Sequence, residues 1–382
     1  MKACIVHNTL NSVGGGERVC LAVIETLKEL GYEVTLITLE PTDWNKIKKI
    51  VGLKKLIKPD REKYLVPFRI GAFGIYMRLL TPLKSLRGKW DLKINTHGDI
   101  TPFTYDDIIY MHYPVFALLK DNSTKVKYSE SLFWRTYFIP YQRIQERLAK
   151  RLKYKVLLTN SEYSASVIKK YVGIDAIVLH PPVEIEDFLK SSLINNREDA
   201  VILCGRFSPE KNYELALEIA NELPEIDFRI IGASSGKISE GYYRKLVKLV
   251  EEKGLKNVNF FKDAPRKLQL ELYSRSKVFL HTMVGEHFGI AVVEGMAAGL
   301  VPVVHKSGGP WNDILMRGKY GLGYSSVTEA AEAIEKAIRE YQKFRTIALE
   351  RARMFSKDEF KSRFRKIVAY FFTSCFKSKT TF

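Results

Sequence analysis

The chain has 382 residues, enough for two domains with separate cores, since single cores stop growing near roughly 250–300 residues. Its formal net charge of +18 calls for an anionic partner, which leaves nucleic acid, an anionic membrane or a phosphorylated small molecule. Cys4, Cys20, Cys204 and Cys375 form neither a C-x-x-C pair nor a metal-ligand spacing, so a reducing compartment is expected, and a disulfide scaffold and a zinc site are not.

The N-terminal MKACIVHNTL carries a four-residue apolar run before His7 and Asn8, too short for a secretory signal, so secretion is not expected. Short apolar runs then alternate with helical periodicity, which predicts parallel sheets in α/β layers. Strands are expected at 2–6, 33–39, 91–95, 107–112, 155–159 and 176–180, with helical patterns between most of them, including 16–30 and 162–171. Residues 46–93 hold fourteen Lys and Arg, among them Lys46, Lys54, Lys55, Lys58, Arg69 and Arg78, against Asp60, Glu62 and Asp91, with Tyr64, Phe68, Phe73, Tyr76 and Trp90 interleaved. Arg69, Arg78 and, later, Glu294 interrupt the longest apolar stretches, so no membrane span is expected.

Pro181 and Pro182, followed by the polar SSLINNRED at 191–199, mark a join. A second series of strands follows at 201–205, 228–232, 258–261, 278–282 and 301–304, so the chain reads as two similar α/β units in tandem. The expected domains are 1–182 and 183–357, with 358–382 forming a helix that packs back on the first.

Three stretches carry chemistry. The first strand runs into NTLNSVGGGERV, placing Gly14, Gly15 and Gly16 at a strand's carboxyl end and a helix's mouth, where amides and the helix dipole favour an anion. A dinucleotide loop, with Glu40 on a ribose, would need glycine where Val19 stands, and a purely structural turn is the plainer alternative. In the second unit GRFSPEKN sets Arg206 and Lys211 around a turn after a strand, with Asn212 placed to cap the next helix. Two such cations suit a diphosphate, although taken by themselves they read more plainly as solvated surface charges. The third stretch, GEHFGIAVVEGMAAGLVPVVHKSGGP at 285–310, predicts a buried helix starting near Gly289 with Glu286 before it and Glu294 inside it. Buried acids are costly unless something binds them.

Together, GRFSPEKN and the Glu-x7-Glu spacing of Glu286 and Glu294 resemble the retaining nucleotide-sugar glycosyltransferases of family 4. GGGERV (14–19), MHYPV (111–115), HPPVE (180–184), HTMVGEHFGIAVVEGMAAG (281–299) and HKSGGP (305–310) are similar to the branch that adds α-1,2-mannose to dolichol-linked oligosaccharides. Two features depart from that branch: no N-terminal membrane helix of the eukaryotic kind is read here, and 41–106 has no clear counterpart.

The resemblance implies the GT-B fold, two Rossmann-like domains facing a cleft. It also implies transfer of a hexose, mannose by this branch, from a nucleotide sugar such as GDP-mannose to a polyprenyl-linked glycan, with no cofactor. Arg206 and Lys211 would hold the diphosphate, with the amides of Phe288, Gly289 and Ile290 completing the cradle, and Gly15 and Gly16 would admit the phosphates. Glu294 would bind the ribose, Glu286 the donor sugar, and His112 would lie near the transferred sugar; a hydrogen-bonded core histidine is the plainer reading of His112. Glu294 at the ribose is too far from the anomeric carbon for double displacement, so front-face substitution is implied. No Asp-x-Asp triplet is present, and metal-independent transfer is expected. The basic stretch 46–93, with aromatics of GAFGIYMRLL (71–80), is expected to dock the protein on the cytoplasmic face of an anionic membrane. A soluble glycan acceptor is the rival enzymatic reading. A nucleic-acid partner is not expected, since no recognition motif accompanies the charge.

Overall fold

The computed structural model describes residues 1–379 except Val13, 52–55, 69–71, 102–104, 121–131, Lys153, Asn195 and Ser235, and leaves aside the side chains at 49–51, 72–74, 154–155 and 374–379. Lys54, Lys55, Arg69 and Gly71, and the side chains of Lys49, Phe73 and Cys375, therefore lie outside the described residues. The chain forms two compact units, one from the residues up to Pro182 together with those from Lys357 onward, the other from Val183–Ser356.

The first unit runs β1 (Lys2–Val6), α1 (Gly15–Glu29), β2 (Glu33–Thr38), α2 (Trp44–Val51), β3 (Arg61–Tyr64), β4 (Leu92–Asn95), β5 (Asp106–Met111), α3 (Leu132–Ala149), β6 (Tyr154–Thr159), α4 (Glu162–Val172) and β7 (Ile177–Val178). Its sheet is parallel in the order β3-β2-β1-β4-β5-β6-β7, so the direction of winding reverses between β1 and β4. Ala3, Ile5, Val34, Leu36 and Ile94 are fully or almost fully buried, which is why these strands read as continuous apolar runs. β3 was not visible in the sequence pattern. It is the edge strand REKY, paired to β2 from Arg61 opposite Thr35, and a charged edge resists further pairing. The ends of α4 follow local chemistry: the Ser161 hydroxyl accepts from the Ser164 N–H, and Gly173 takes the left-handed φ of +75° that closes the helix.

The second unit runs α5 (Glu186–Ser191), β8 (Ala200–Arg206), α6 (Tyr213–Glu222), β9 (Asp227–Ala233), α7 (Lys237–Lys253), β10 (Val258–Lys262), α8 (Arg266–Arg275), β11 (Val278–His281), α9 (Ile290–Ala297), β12 (Val301–His305), β13 (Leu322–Tyr324), α10 (Val327–Arg339) and α11 (Tyr341–Arg353). The parallel order β10-β9-β8-β11-β12-β13 repeats the reversal, here between β8 and β11. β13 is a second edge strand missed from sequence, three residues long and too short to show a period. Arg197 ties the unit together. Its buried guanidinium donates to the carbonyls of Ser191, Ile194, Tyr273, Ser276 and Ala298, satisfying helix-end acceptors of α5, α8 and α9.

The last helix, α12 (Lys357–Lys379), belongs to the first unit. Phe360, Phe364, Val368 and Phe371 enter the core that holds β1 and α1, and Lys361, only 6% exposed, reaches Glu25 at 2.7 Å and Glu29 at 2.5 Å on α1.

Candidate active site

In the second unit, β8 ends at Arg206 and the chain turns through Pro209–Lys211 before α6. Asn212 stands at the N-cap of α6, but its side chain makes no cap hydrogen bond. Instead its backbone adopts φ +52° and ψ +48°, a left-handed turn that asparagine tolerates, so the capping expectation is corrected. The Thr282 hydroxyl just after β11 donates to the Lys211 carbonyl at 2.7 Å and so fixes the turn. The Lys211 Nζ then donates to Glu286 Oε2 at 2.6 Å.

Two residues that the sequence placed on different parts of a donor are thus brought together as one ion pair, largely out of solvent. His281 Nε2 lies 3.5 Å from the same Glu286 oxygen, and the His287 N–H donates to Oε1 at 3.1 Å. Burial opposes ionisation of Glu286, but the Lys211 ammonium and the His281 ring outweigh it and hold the carboxyl well below its ordinary range. Burial, helped by Lys211, lowers the His281 pKa, which keeps that ring neutral near pH 7. Arg206 stands apart, its side chain 71% exposed and 3.3 Å from Glu210.

The Gly-Gly-Pro that closes the motif has a steric reason. A Cβ at Gly308 would lie 2.3 Å from the Glu286 carbonyl oxygen, and one at Gly309 would lie 2.3 Å from that of His287. The Gly309 N–H donates to the Glu286 carbonyl at 2.8 Å, and the Ser307 hydroxyl accepts from the Gly285 N–H at 2.9 Å. The two loops are therefore laced backbone to backbone. Gly289 caps α9 at φ +99°, so the amides of Phe288, Gly289 and Ile290 stand at that helix's N-terminal end, while Glu294 is buried in its second turn at 6% exposure.

In the first unit, Gly15 and Gly16 open α1, and the Glu17 carboxylate accepts from the Gly14 N–H at 2.7 Å. A Cβ at Gly16 would sit 3.2 Å from His112 Nε2, so the imidazole approaches the helix closely at this glycine. His112 directly follows β5, and its Nε2 lies 2.9 Å from the Thr96 carbonyl oxygen. Glu40 is engaged otherwise than a dinucleotide site would require: its Oε1 accepts from Thr9 Oγ1 at 2.7 Å and from Asn11 Nδ2 at 2.8 Å.

Sequence reasoning missed the loop after β4. There His97 Nε2 lies 2.8 Å from Asp99 Oδ2, Arg78 lies 3.7 Å from the same oxygen, and the His7 ring packs edge-on against His97. Burial opposes ionisation of Asp99, but His97 and Arg78 lower its pKa; burial and the neighbouring His97 and His112 hold His7 well below the usual histidine range. The signal was present as His-Gly-Asp after a predicted strand, on the carboxyl side of the sheet where ligands bind in open α/β folds.

Residues 184–357 match the family described as Glycosyl transferases group 1. That segment, just under half of the chain, is similar to the group 1 glycosyltransferases. Over 425 aligned positions the chain is 28% identical to a Dictyostelium discoideum protein named GDP-Man:Man(3)GlcNAc(2)-PP-Dol alpha-1,2-mannosyltransferase, covering 95% of this chain and 83% of that one. It is 27% identical to the Xenopus laevis protein of the same name, over 67% of this chain but only 59% of its relative's length. Among solved structures, sucrose-phosphate synthase from Thermosynechococcus elongatus superposes with a TM-score of 0.75 at 14% identity, covering 98% of this chain and all of the other. The fold is GT-B, and all the residues around the Lys211–Glu286 pair lie within the matched family segment.

Proposed function

We propose that this glycosyltransferase moves mannose from GDP-mannose to a polyprenyl-linked glycan, with retention at the anomeric carbon. The observation that carries the reading is the Lys211–Glu286 pair beside the N-terminus of α9, a cation suited to a diphosphate and a carboxylate suited to sugar hydroxyls held in one place. The choice of mannose and of a lipid-linked acceptor leans on the names of the Dictyostelium and Xenopus relatives.

In this mechanism the arriving diphosphate takes over Lys211, and Glu286, relieved of its partner, accepts hydrogen bonds from the sugar hydroxyls. Glu294 holds the ribose. As the bond between the anomeric carbon and the phosphate oxygen breaks, negative charge grows on the departing diphosphate, where Lys211, Arg206 and the amides of Phe288, Gly289 and Ile290 stabilise it. The acceptor oxygen bonds to the anomeric carbon on the face the diphosphate leaves, and its proton passes to that diphosphate. The family resemblance assigns His112 a role toward the transferred sugar and Gly15 and Gly16 a role toward phosphate, roles that single-residue variants test. No cofactor or metal is assigned a step; among the described residues no group of three or more His, Cys, Asp or Glu could hold a metal ion. Among the described residues no helix is long and apolar enough to cross a membrane, and we assign the protein to the cytoplasmic face as a peripheral enzyme.

The test is to incubate the purified chain with a panel of nucleotide sugars and follow nucleoside diphosphate release with and without polyprenyl-diphosphate-linked glycans. Acceptor-dependent release from GDP-mannose is expected. Release stimulated only by soluble glycans would overturn the acceptor assignment.

A further inference from the structure

The basic stretch at 46–93 is less free than its composition suggests. Lys46 donates to the Asn11 carbonyl, Arg61 pairs with Glu33, and Lys58 and Lys63 lie over the rings of Trp44 and Trp90. The apolar stretch expected to insert is also engaged: Ile75 is 3% exposed, and the half-buried Tyr76 donates its hydroxyl to the Tyr137 carbonyl at 2.9 Å.

The element against which Tyr76 packs presents the opposite picture. α3 buries Phe138, Tyr141, Gln145 and Ala149, and Gln145 exchanges two hydrogen bonds with the Ile100 backbone, so one face of the helix is fixed to the unit. On the other face Leu132 is 82% exposed, Phe133 59% and Ile144 36%, the first two being among the most exposed large apolar side chains described. Arg135, Arg143 and Arg147 are exposed beside them. The helix has one acid, Glu146, which is taken by Lys120 at 2.7 Å and Lys150 at 3.2 Å, and among the described residues no carboxylate pairs with the three arginines. An apolar helix face flanked by unpaired guanidinium groups, set on a rigid sheet, matches the interface of an anionic bilayer, where rings and Leu sink to the acyl boundary and arginines meet phosphate headgroups.

We propose that the outward face of α3 docks the protein on an anionic membrane surface, with Leu132 and Phe133 inserting and Arg135, Arg143 and Arg147 meeting the headgroups. The inference rests on the lipid-linked acceptor for its purpose. Its test needs neither donor nor glycan, so either reading can fail alone: nucleotide-sugar turnover on soluble glycans only would overturn the acceptor and leave this surface standing.

The experiment is sedimentation of the full chain with vesicles of zwitterionic lipid alone and with vesicles that also carry an anionic phospholipid, at low and high salt. Binding to the anionic vesicles is expected, weakening as salt shortens the Debye length. Replacing Leu132 and Phe133 together by Ser should weaken it about tenfold, and each Arg→Gln change at 135, 143 or 147 about fivefold. GDP affinity and the thermal midpoint should not move, because all five side chains are exposed. Native-like vesicle binding by the Leu132→Ser, Phe133→Ser variant overturns the proposal, as does failure of the native chain to bind anionic vesicles. A dimer in light scattering that this variant dissolves would also overturn it, because the face would then be covered by a second copy.

Discussion

Two carboxylates largely out of solvent, one in each unit, sit at opposite edges of their sheets and have opposite fates. Asp106 begins β5, on the amino side of the first sheet. It is 4% exposed, its Oδ1 has no hydrogen-bond partner, and burial, against the pull of Lys93, pushes its pKa up to about 6. Glu286 lies beyond the carboxyl end of β11, where Lys211 and His281 overcome burial and hold it ionised. The contrast shows where this fold invests charge. At the carboxyl edge an acid has a cation and an amide against it and is ready to exchange them for a ligand; at the amino edge Asn95, at 3.4 Å from Asp106 Oδ2, and Lys93 compensate burial only in part, so the acid is a stability cost.

The largest expected effect breaks the favourable side of this comparison. Lys211→Ala should slow transfer by about 100- to 1000-fold in kcat/KM, the scale of losing one preorganised charge-stabilising donor. Arg206→Ala should cost less than Lys211→Ala, because Arg206 is a solvated side chain whose ion-pair partner among the described residues is Glu210. Equal losses in steady-state assays would mean that Arg206 swings fully into the site.

The unfavourable side can be removed. A carboxyl whose folded pKa is raised stays protonated in the fold up to about pH 6 while the unfolded chain ionises above 3.8, so Asp106 withdraws stability as pH rises through that window. Asp106→Asn should therefore raise stability at pH 7 by up to about 3 kcal/mol and have little effect near pH 4. Glu286 has the opposite sign, contributing stability above about 4.5 that is lost as pH falls. Denaturant melts of Asp106→Asn and Glu286→Gln across pH 4–7 should consequently diverge, and parallel curves would refute the contrast.

The smallest effects separate binding from turnover. Glu294→Ala should weaken GDP binding about tenfold by calorimetry with less effect on the chemical step, whereas His112→Ala should lower kcat about tenfold with GDP affinity unchanged. Unaltered GDP affinity in Glu294→Ala would remove it from the ribose.

What the sequence determined by itself follows from local physics. Two-sided burial makes parallel strands continuous apolar runs, so eleven of the thirteen strands among the described residues could be read in order. A positive φ or a tight approach requires glycine, so Gly289, Gly308 and Gly309 announced a special loop before its partner was known. The charged or very short edge strands β3 and β13 escaped because their pairing is decided by a neighbour and not by their own pattern. Only the tertiary structure could place Lys211 on Glu286, 75 residues away in the chain, set His97 on Asp99 beside His7, gather five carbonyls around Arg197, and leave Leu132 and Phe133 exposed while burying Ile75. Spacing along a chain specifies which residues share a strand or helix face. Which charges meet, and which apolar side chains stay uncovered, depends on how distant elements pack, and that information is spread over the whole sequence.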